Sequence, residues 1–286
     1  MWKEIVKAHS PYNFDQVLER LAIDPLHAID LVNRMLWLPI YQTNETISIK
    51  AVGTTRHPLF EISGKSLKTK RTCLKEAARI LRWEAPIAAV HEHFQSTDLQ
   101  ELFNARLGTP IVLDFSLYAS LVKCIIHQQL NTKFAHKLTE RFVHAYGTKQ
   151  DGVWHYPRPE TAAQIPVEEL RQLQFSQRKA EYLVGLSEMI ANNKLDLHEL
   201  EFMSNEEVVG TLVKIRGIGP WTAQNFLLFG LGRDNLFPIA DIGLQKAVQQ
   251  LYKLKNKPSL EEMNQYIQAW KPYLSYASLY LWRSVE

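Results

Sequence analysis

Two cysteines, Cys73 and Cys124, are too few and too far apart for a disulfide framework, a four-cysteine zinc site or a four-cysteine iron–sulfur cluster. No apolar run approaches the roughly eighteen residues that a membrane-crossing helix needs. No basic-then-apolar pattern at the N-terminus directs export, so the expectation is a soluble, cytoplasmic protein without membrane attachment. Internal repeats and low-complexity stretches are absent. Neither sign of charge dominates: 33 Lys and Arg against 30 Asp and Glu leave +3. An isoelectric point near 8.7 permits nucleic-acid binding without demanding it. The ten histidines form no cluster with carboxylates of metal-site type; His91-Glu92-His93 comes nearest and reads as a surface stretch. What the chain does have is 46% hydrophobic residues, enough for a proper core, in 286 residues that suit two domains better than one.

Residues 1–100 read as mixed α/β. Asn13 or Asp15 caps a helix through Leu21, since Phe14, Val17, Leu18 and Leu21 share a face. Trp37–Gln42, Thr46–Val52 and Leu59–Ser63 read as strands, joined by hairpin-like breaks at Thr43–Glu45 and Gly53–Pro58. Lys65, Lys68, Lys70 and Arg71 form a basic run, taken as a solvated face, before a helix near Leu74–Trp83. From Asp98 onward strand signals nearly vanish. A helix opening at Asp114 or Phe115 carries Tyr118, Leu121, Val122, Ile125 and Ile126 inward, and Thr132 caps the next, Lys133 to Tyr146. Short helices follow the turn Tyr156-Pro157-Arg158-Pro159. A longer one spans Gln177–Asn192, one follows Asp241, and the last begins near Leu260 and ends in Trp270, Tyr273, Tyr276, Tyr280 and Trp282. The fold class expected is α+β: an N-terminal sheet-containing domain over residues 1–100, then an all-α body over 101–286.

The most informative stretch is 204–248. Ser204 and Glu207 make a capping box, and Val208, Val209, Leu212, Val213 and Ile215 give the helix an apolar face. Arg216-Gly217-Ile218-Gly219 breaks it, two glycines supplying torsions that a Cβ resists. Pro220 suits the first position of a second helix, which runs through Leu228 to a stop at Gly230 or Gly232. Such a hairpin turns backbone N–H groups and a helix N-terminus outward, toward an anion such as phosphate. About twenty residues on stands a lone carboxylate, Asp241. From spacing alone it is as readily the N-cap of the helix it precedes as a catalytic group, and both can hold.

Leu212-Val213-Lys214-Ile215-Arg216-Gly217-Ile218-Gly219-Pro220-Trp221-Thr222-Ala223, followed by Phe237-Pro238-Ile239-Ala240-Asp241, resembles the helix–hairpin–helix plus Gly/Pro-Asp signature of base-excision DNA glycosylases. Within that superfamily the chain is similar to the 3-methyladenine DNA glycosylase II (AlkA) branch. Ile126-His127-Gln128-Gln129-Leu130 resembles the segment that enters the DNA, and Gln177-Arg178-Lys179-Ala180 resembles a family helix. The resemblance implies hydrolysis of the N-glycosidic bond of alkylated purines such as 3-methyladenine and 7-methylguanine. The partner is duplex DNA with a damaged base, and the enzyme is a monomer. A lesion base must leave the stack, because that bond is unreachable inside a duplex.

By the same resemblance, Asp241 is the catalytic carboxylate, which would stabilise oxocarbenium charge and orient water. Trp221 stands where bifunctional relatives place a nucleophilic lysine, which implies a monofunctional enzyme that leaves an abasic site. Trp221 and Tyr273 match aromatic pocket positions suited to a cationic base. Tyr273 stands where tryptophan is more usual, and Asn225 replaces a tyrosine. Gln129 occupies the wedge position, where AlkA-like enzymes place an apolar side chain, with Leu130 beside it; a polar pair at a helix end is the competing reading. Lys214 and Arg216, near the hairpin, either touch phosphate or are solvated helix charges, and the Gly217, Ile218 and Gly219 amides are placed to hold a phosphate. No cofactor is implied for catalysis; a structural sodium or potassium ion is, on the carbonyls of Val213, Ile215 and Ile218. Ordinary core packing is the competing reading of each aromatic. A non-catalytic helix–hairpin–helix DNA-binding protein, or a glycosylase for another lesion such as deaminated purine, is the competing reading of the whole.

Overall fold

Alternating side chains in the first quarter of the chain build an antiparallel sheet. In the computed structural model, which describes residues 1–285, the chain runs through β1 (Trp2–Lys7), α1 (Phe14–Leu21), β2 (Ala28–Asp30), β3 (Met35–Ile40), β4 (Glu45–Ala51) and β5 (Leu59–Gly64). The strand order is β1-β5-β4-β3-β2. Leu36, Ile49 and Ile62 lie directly opposite one another across β3, β4 and β5 and are fully buried, the cross-strand contact that stabilises a sheet. α1 and the following helix, α2 (Lys70–Leu81), cover that face with Phe14, Val17, Leu18, Cys73, Ala77 and Ile80. Asn13 caps α1, accepting the Gln16 N–H.

Two strands escape the pattern. In β1 the outward residue is Ile5 while Glu4 and Val6 are half-buried, so hydrophobicity runs against burial and the alternation is masked. Trp2 nonetheless docks across Gly64, where a Cβ would lie 2.6 Å from its ring. β2 has only three residues, too few for any periodicity to show.

The helices continue with α3 (Ile87–Phe94), α4 (Gln100–Ala105), α5 (Leu117–His127) and α6 (Thr132–Tyr146). A small hairpin, β6 (Thr148–Gln150) and β7 (Val153–His155), interrupts them. It corrects the expectation of vanishing strands: Asp151 and Gly152 both have positive φ, 53° and 82°, the left-handed pair that a two-residue hairpin turn requires. Then come α7 (Pro159–Ala162), α8 (Val167–Gln172), α9 (Gln177–Ala191), α10 (Asn205–Leu212), α11 (Pro220–Asn225), α12 (Ile242–Leu251), α13 (Leu260–Tyr266) and α14 (Leu274–Trp282).

α5 starts later than expected. Residues 110–115 carry no regular element, Leu113 and Asp114 donating their N–H groups to Ile80 and Phe229 carbonyls, and Ser116 is the cap, accepting from Ala119. α6 is capped by Asn131, with Thr132 as its first residue. The last helix is two: Pro272 has no N–H to offer, and it separates α13 with its short continuation from α14.

Two cores serve the helices. One gathers α5, α6, α9 and α10 around Leu121, Ile125, Phe142, Leu183 and Leu212. The other joins α3 and α4 to α12, α13 and α14 around Phe94, Phe103, Val248, Trp270 and Tyr280. Phe94, Phe103 and Tyr280 stack at centroid distances of 3.9 and 3.8 Å. His91 lies inside this second core, not on the surface: its Nε2 accepts the Gly108 N–H and sits 3.1 Å from Tyr280 Oη. The five-stranded sheet and the helices thus form an α+β fold in which the chain's last helix returns to the first.

Candidate active site and nucleic-acid interface

Local chemistry fixes the hairpin. Both halves of the Ser204–Glu207 box are made, so α10 starts cleanly. The turn beyond it tightens through Ile215 N–H to Leu212 and Ile218 N–H to Ile215, each 3.0 Å. The two glycines have different duties. Gly217 has φ +95°, and a Cβ there would lie 2.2 Å from the Tyr182 ring, so both torsion and space require glycine. Gly219 is extended at φ −99°, ψ 176°, and a Cβ on it would meet nothing within 4 Å. The expectation that both glycines supply forbidden torsions therefore holds for Gly217 alone. Ile218 is buried and its N–H is taken by the Ile215 carbonyl, so the expectation that its amide holds a phosphate is not met and only its carbonyl is left for a ligand. Lys214 is exposed. Arg216 is also exposed but bonds Glu181 at 2.7 Å over the Tyr182 ring, so α9 holds part of its charge.

α5 delivers the next segment. Its C-terminal carbonyls need donors, and Lys179 of α9 supplies them. The Lys179 ammonium donates to the carbonyls of Ile125, Ile126 and Gln128 at 2.8, 3.0 and 2.7 Å. Burial pulls Lys179 down to about 8, still protonated at neutral pH, while burial pushes the neighbouring His127 down to about 3 and keeps it neutral. Gln128 ties this segment to the hairpin, donating to the Gly217 carbonyl at 2.8 Å and to Thr222 Oγ1 at 3.0 Å. Gln129 follows in the left-handed region at φ 55°, exposed. Leu130 is half-buried against the helical core. The structure thus separates the pair: Gln129 protrudes and Leu130 packs.

Asp241 caps α12 and also faces a pocket, so both readings of it meet in one geometry. Its Oδ1 accepts the Leu244 N–H at 3.0 Å and the Trp282 indole N–H at 2.9 Å. Its Oδ2 accepts the Trp221 indole N–H at 3.0 Å. The pocket of about 240 Å³ beside it is lined by Trp221, Asn225, Phe229, Leu279 and Trp282, with Arg20 and Arg283. Asn225 is buried and donates to the Trp221 carbonyl at 2.8 Å. A π-helical turn over Phe226–Gly230, closed by Leu231 N–H to Phe226 at 3.0 Å, presents Phe229.

Tyr273 does not line this pocket. It stands at the start of α14, packed edge-on against His93 and Tyr276; nine residues further along, Trp282 lines the pocket in its place. The chain shows Trp282 only as one of several aromatics in its tail. The signal for it is the need of a half-buried carboxylate for donors, which tyrosine at 273 could not meet from its position. Lys179, Gln128, Phe229 and Arg20 were likewise not assigned from sequence, since each acts by contacts across 50 residues or more. Among the described residues, no three His, Cys, Asp or Glu side chains gather to hold a metal, and no helix is long and apolar enough to cross a membrane.

A glycine turn joining two helices, an exposed segment bonded to it and a capped carboxylate in an aromatic pocket are the elements that the structure brings together. The family model described as HhH-GPD superfamily base excision DNA repair protein matches residues 122–272, and the chain belongs to that superfamily. A Bacillus subtilis (strain 168) protein named "Putative DNA-3-methyladenine glycosylase YfjP" is 51% identical over the full length of both chains. Among solved structures, a 3-methyladenine DNA-glycosylase from Archaeoglobus fulgidus superposes with TM-score 0.86 over 99% of this chain and 97% of that one, at 22% identity, which shows a shared fold. The Schizosaccharomyces pombe 3-methyladenine DNA glycosylase Mag1, solved with abasic DNA, superposes with TM-score 0.61 over 68% of this chain and 96% of its own, at 26% identity.

Proposed function

We propose that the protein is a monomeric, monofunctional DNA glycosylase that hydrolyses the N-glycosidic bond of alkylated purines, 3-methyladenine and 7-methylguanine, in duplex DNA. The observation that carries this reading is the Asp241 carboxylate. It is held at both oxygens by the indoles of Trp221 and Trp282 and sits in an aromatic pocket large enough for a base. As the bond breaks, positive charge develops on the sugar, and a fixed carboxylate stabilises it without reorganising. The same oxygens orient the attacking water. Trp221 has no amine, so no Schiff base forms at its position and the strand stays intact.

The base reaches the pocket by leaving the stack. Gln129 would fill the space it vacates, from a segment fastened to the hairpin by Gln128. The amides of Gly217 and Gly219 would hold a phosphate beside the lesion, while that of Ile218 is committed to the Ile215 carbonyl; Lys214 and Arg216 would add charge, which fixes register without reading sequence. The carbonyl oxygens of Val213, Ile215 and Ile218 are a hard, all-oxygen donor set that suits a sodium or potassium ion, which would brace the turn and offset phosphate charge.

The test is methylated, labelled duplex DNA incubated with wild type and with Asp241→Asn. Released bases are separated by chromatography and strand breaks scored before and after alkali. We expect release of 3-methyladenine and 7-methylguanine by wild type only, with breaks only after alkali. Breaks without alkali would refute the monofunctional assignment. Binding of abasic DNA with no base released would mark a DNA-binding protein without chemistry.

A further inference from the structure

α12 carries a glycine in its first turn, where a helix has no need of one. Gly243 is the second residue of α12, and Asp241 caps the helix two positions before it. Its φ is not in the left-handed region, so no torsion demands glycine, and alanine would make the better helix. The requirement is one of space. A Cβ on Gly243 would lie 3.1 Å from Asp241 Oδ1, and 3.2 and 3.3 Å from Trp282 Cδ1 and Nε1. Two of those atoms are the partners of one hydrogen bond, since Trp282 Nε1 donates to Asp241 Oδ1 at 2.9 Å. Trp282 belongs to α14, so the bare backbone of α12 is the seat on which an indole from another helix reaches the carboxylate. The pocket walls are other residues, and Gly243 can act on a base only through them.

We infer that Gly243 is a positioning residue for the chemical step, its missing side chain allowing the Trp282 indole to hold Asp241 in the orientation the reaction uses; this rests on the reading of Asp241 as the carboxylate of base release. A methyl at this place forces the ring or the carboxylate to give by a few tenths of an ångström. The Leu244 N–H and the Trp221 indole still hold Asp241, so the carboxylate stays in the pocket while its plane turns. Charge developing on the sugar is stabilised best by a carboxylate already in place, and small misplacements lower the rate steeply. Duplex binding through the hairpin does not pass through Gly243. A methyl here should therefore slow the chemistry and leave binding alone.

The experiment compares wild type, Gly243→Ala, Trp282→Phe and the double variant in single-turnover release of 3-methyladenine and 7-methylguanine from methylated duplex. Binding of abasic duplex, melting curves and NMR spectra of the indole N–H groups accompany the rates, and Trp282→Phe assigns the Trp282 signal by deleting it. We expect Gly243→Ala to release both bases about three- to tenfold more slowly, to bind abasic duplex like wild type, to melt no lower, and to shift the Trp282 signal. In the Trp282→Phe background the bond is already absent, so Gly243→Ala should slow release less than it does alone. A rate equal to wild type overturns the inference, as does an equal slowing in both backgrounds or an unmoved Trp282 signal. A slower rate that tracks a lower melting temperature, with that signal unmoved, makes Gly243 a packing residue of α12. Wild type that releases neither base refutes the glycosylase reading, and the inference with it; an active wild type with an unimpaired Gly243→Ala refutes the inference alone.

Discussion

Asp241 accepts three hydrogen bonds, two of them from the indoles of Trp221 and Trp282, on different helices. Each oxygen is held, so the carboxylate plane has little freedom to turn toward a ligand and must be met in the orientation it already has. Among single residues this one was the most legible in the chain, because its motif neighbours stand within a few positions. Its partner Trp282 was not legible, since Tyr273 and Trp282 look alike as tail aromatics and only the docking of α14 tells them apart. The two hairpin glycines give the sharpest residue-scale prediction. Gly217→Ala must adopt a left-handed torsion and push into Tyr182, so it should lose about 2 kcal/mol or more of stability in urea unfolding. Gly219→Ala has ordinary torsions and open space around its Cβ, and its stability should stay within about 0.5 kcal/mol of wild type. Its methyl would stand beside the Gly219 amide proposed to hold a phosphate, so binding to abasic duplex should weaken several-fold. Unchanged binding by Gly219→Ala would remove that amide from the phosphate contact.

At the scale of elements, one lysine joins three of them. Lys179 on α9 caps α5 through three carbonyls, and the last of these belongs to Gln128, which is bonded in turn to the turn between α10 and α11. Gln129 is strained into the left-handed region directly after this junction. The conformation is held by its neighbours, as a non-glycine residue with positive φ requires. Lys179→Met keeps the stem and removes the donors, leaving buried carbonyls unpaired at about 1–3 kcal/mol. We expect a lower melting temperature and, because the segment loses its anchor, a fall in the fluorescence rise of a 2-aminopurine placed beside a lesion. Lys179→Arg should recover part of both. Loss of stability with full base extrusion would confine Lys179 to a capping role. Helices and strands of this kind were legible wherever periodicity ran for a turn or more with a cap, as in α1, α10 and β3 to β5. They were hidden where burial opposed hydrophobicity, as in β1, or where an element was only three residues long, as in β2 and β6.

At the scale of the whole molecule, the segment following α1 is locked to the helical body by a buried ion pair. Asp24 is almost fully buried, and Lys123 of α5 lies 3.3 Å from it and 3.6 Å from Asp114. His27 and His136 each approach Asp24 to 3.9 Å. Burial works to raise the Asp24 carboxyl, but Lys123, His27, the Leu26 N–H and His136 together hold it well below the ordinary carboxylate range. Because its folded value is depressed, Asp24 contributes stability that is present above its unfolded pKa of about 4 and is lost as pH falls through the folded value. Nothing in the spacing of residues 24 and 123 forecast this, as the pair exists only once sheet and helices have met. Lys123→Met leaves the carboxylate buried without its main partner, a change of about 3–5 kcal/mol at neutral pH. Burial then dominates, the Asp24 carboxyl moves up, and protonation relieves the penalty instead of causing one. The stability gap between wild type and Lys123→Met in urea unfolding should therefore be widest at pH 7 and narrow steadily toward pH 3. A gap that stays constant over that range would mean that Lys123 contributes by packing its stem, not by its charge. Since α1 also carries Arg20 into the pocket, the variant should lose activity at pH 7 in step with stability, and regain neither on adding salt, because a carboxylate this buried lies out of reach of screening ions.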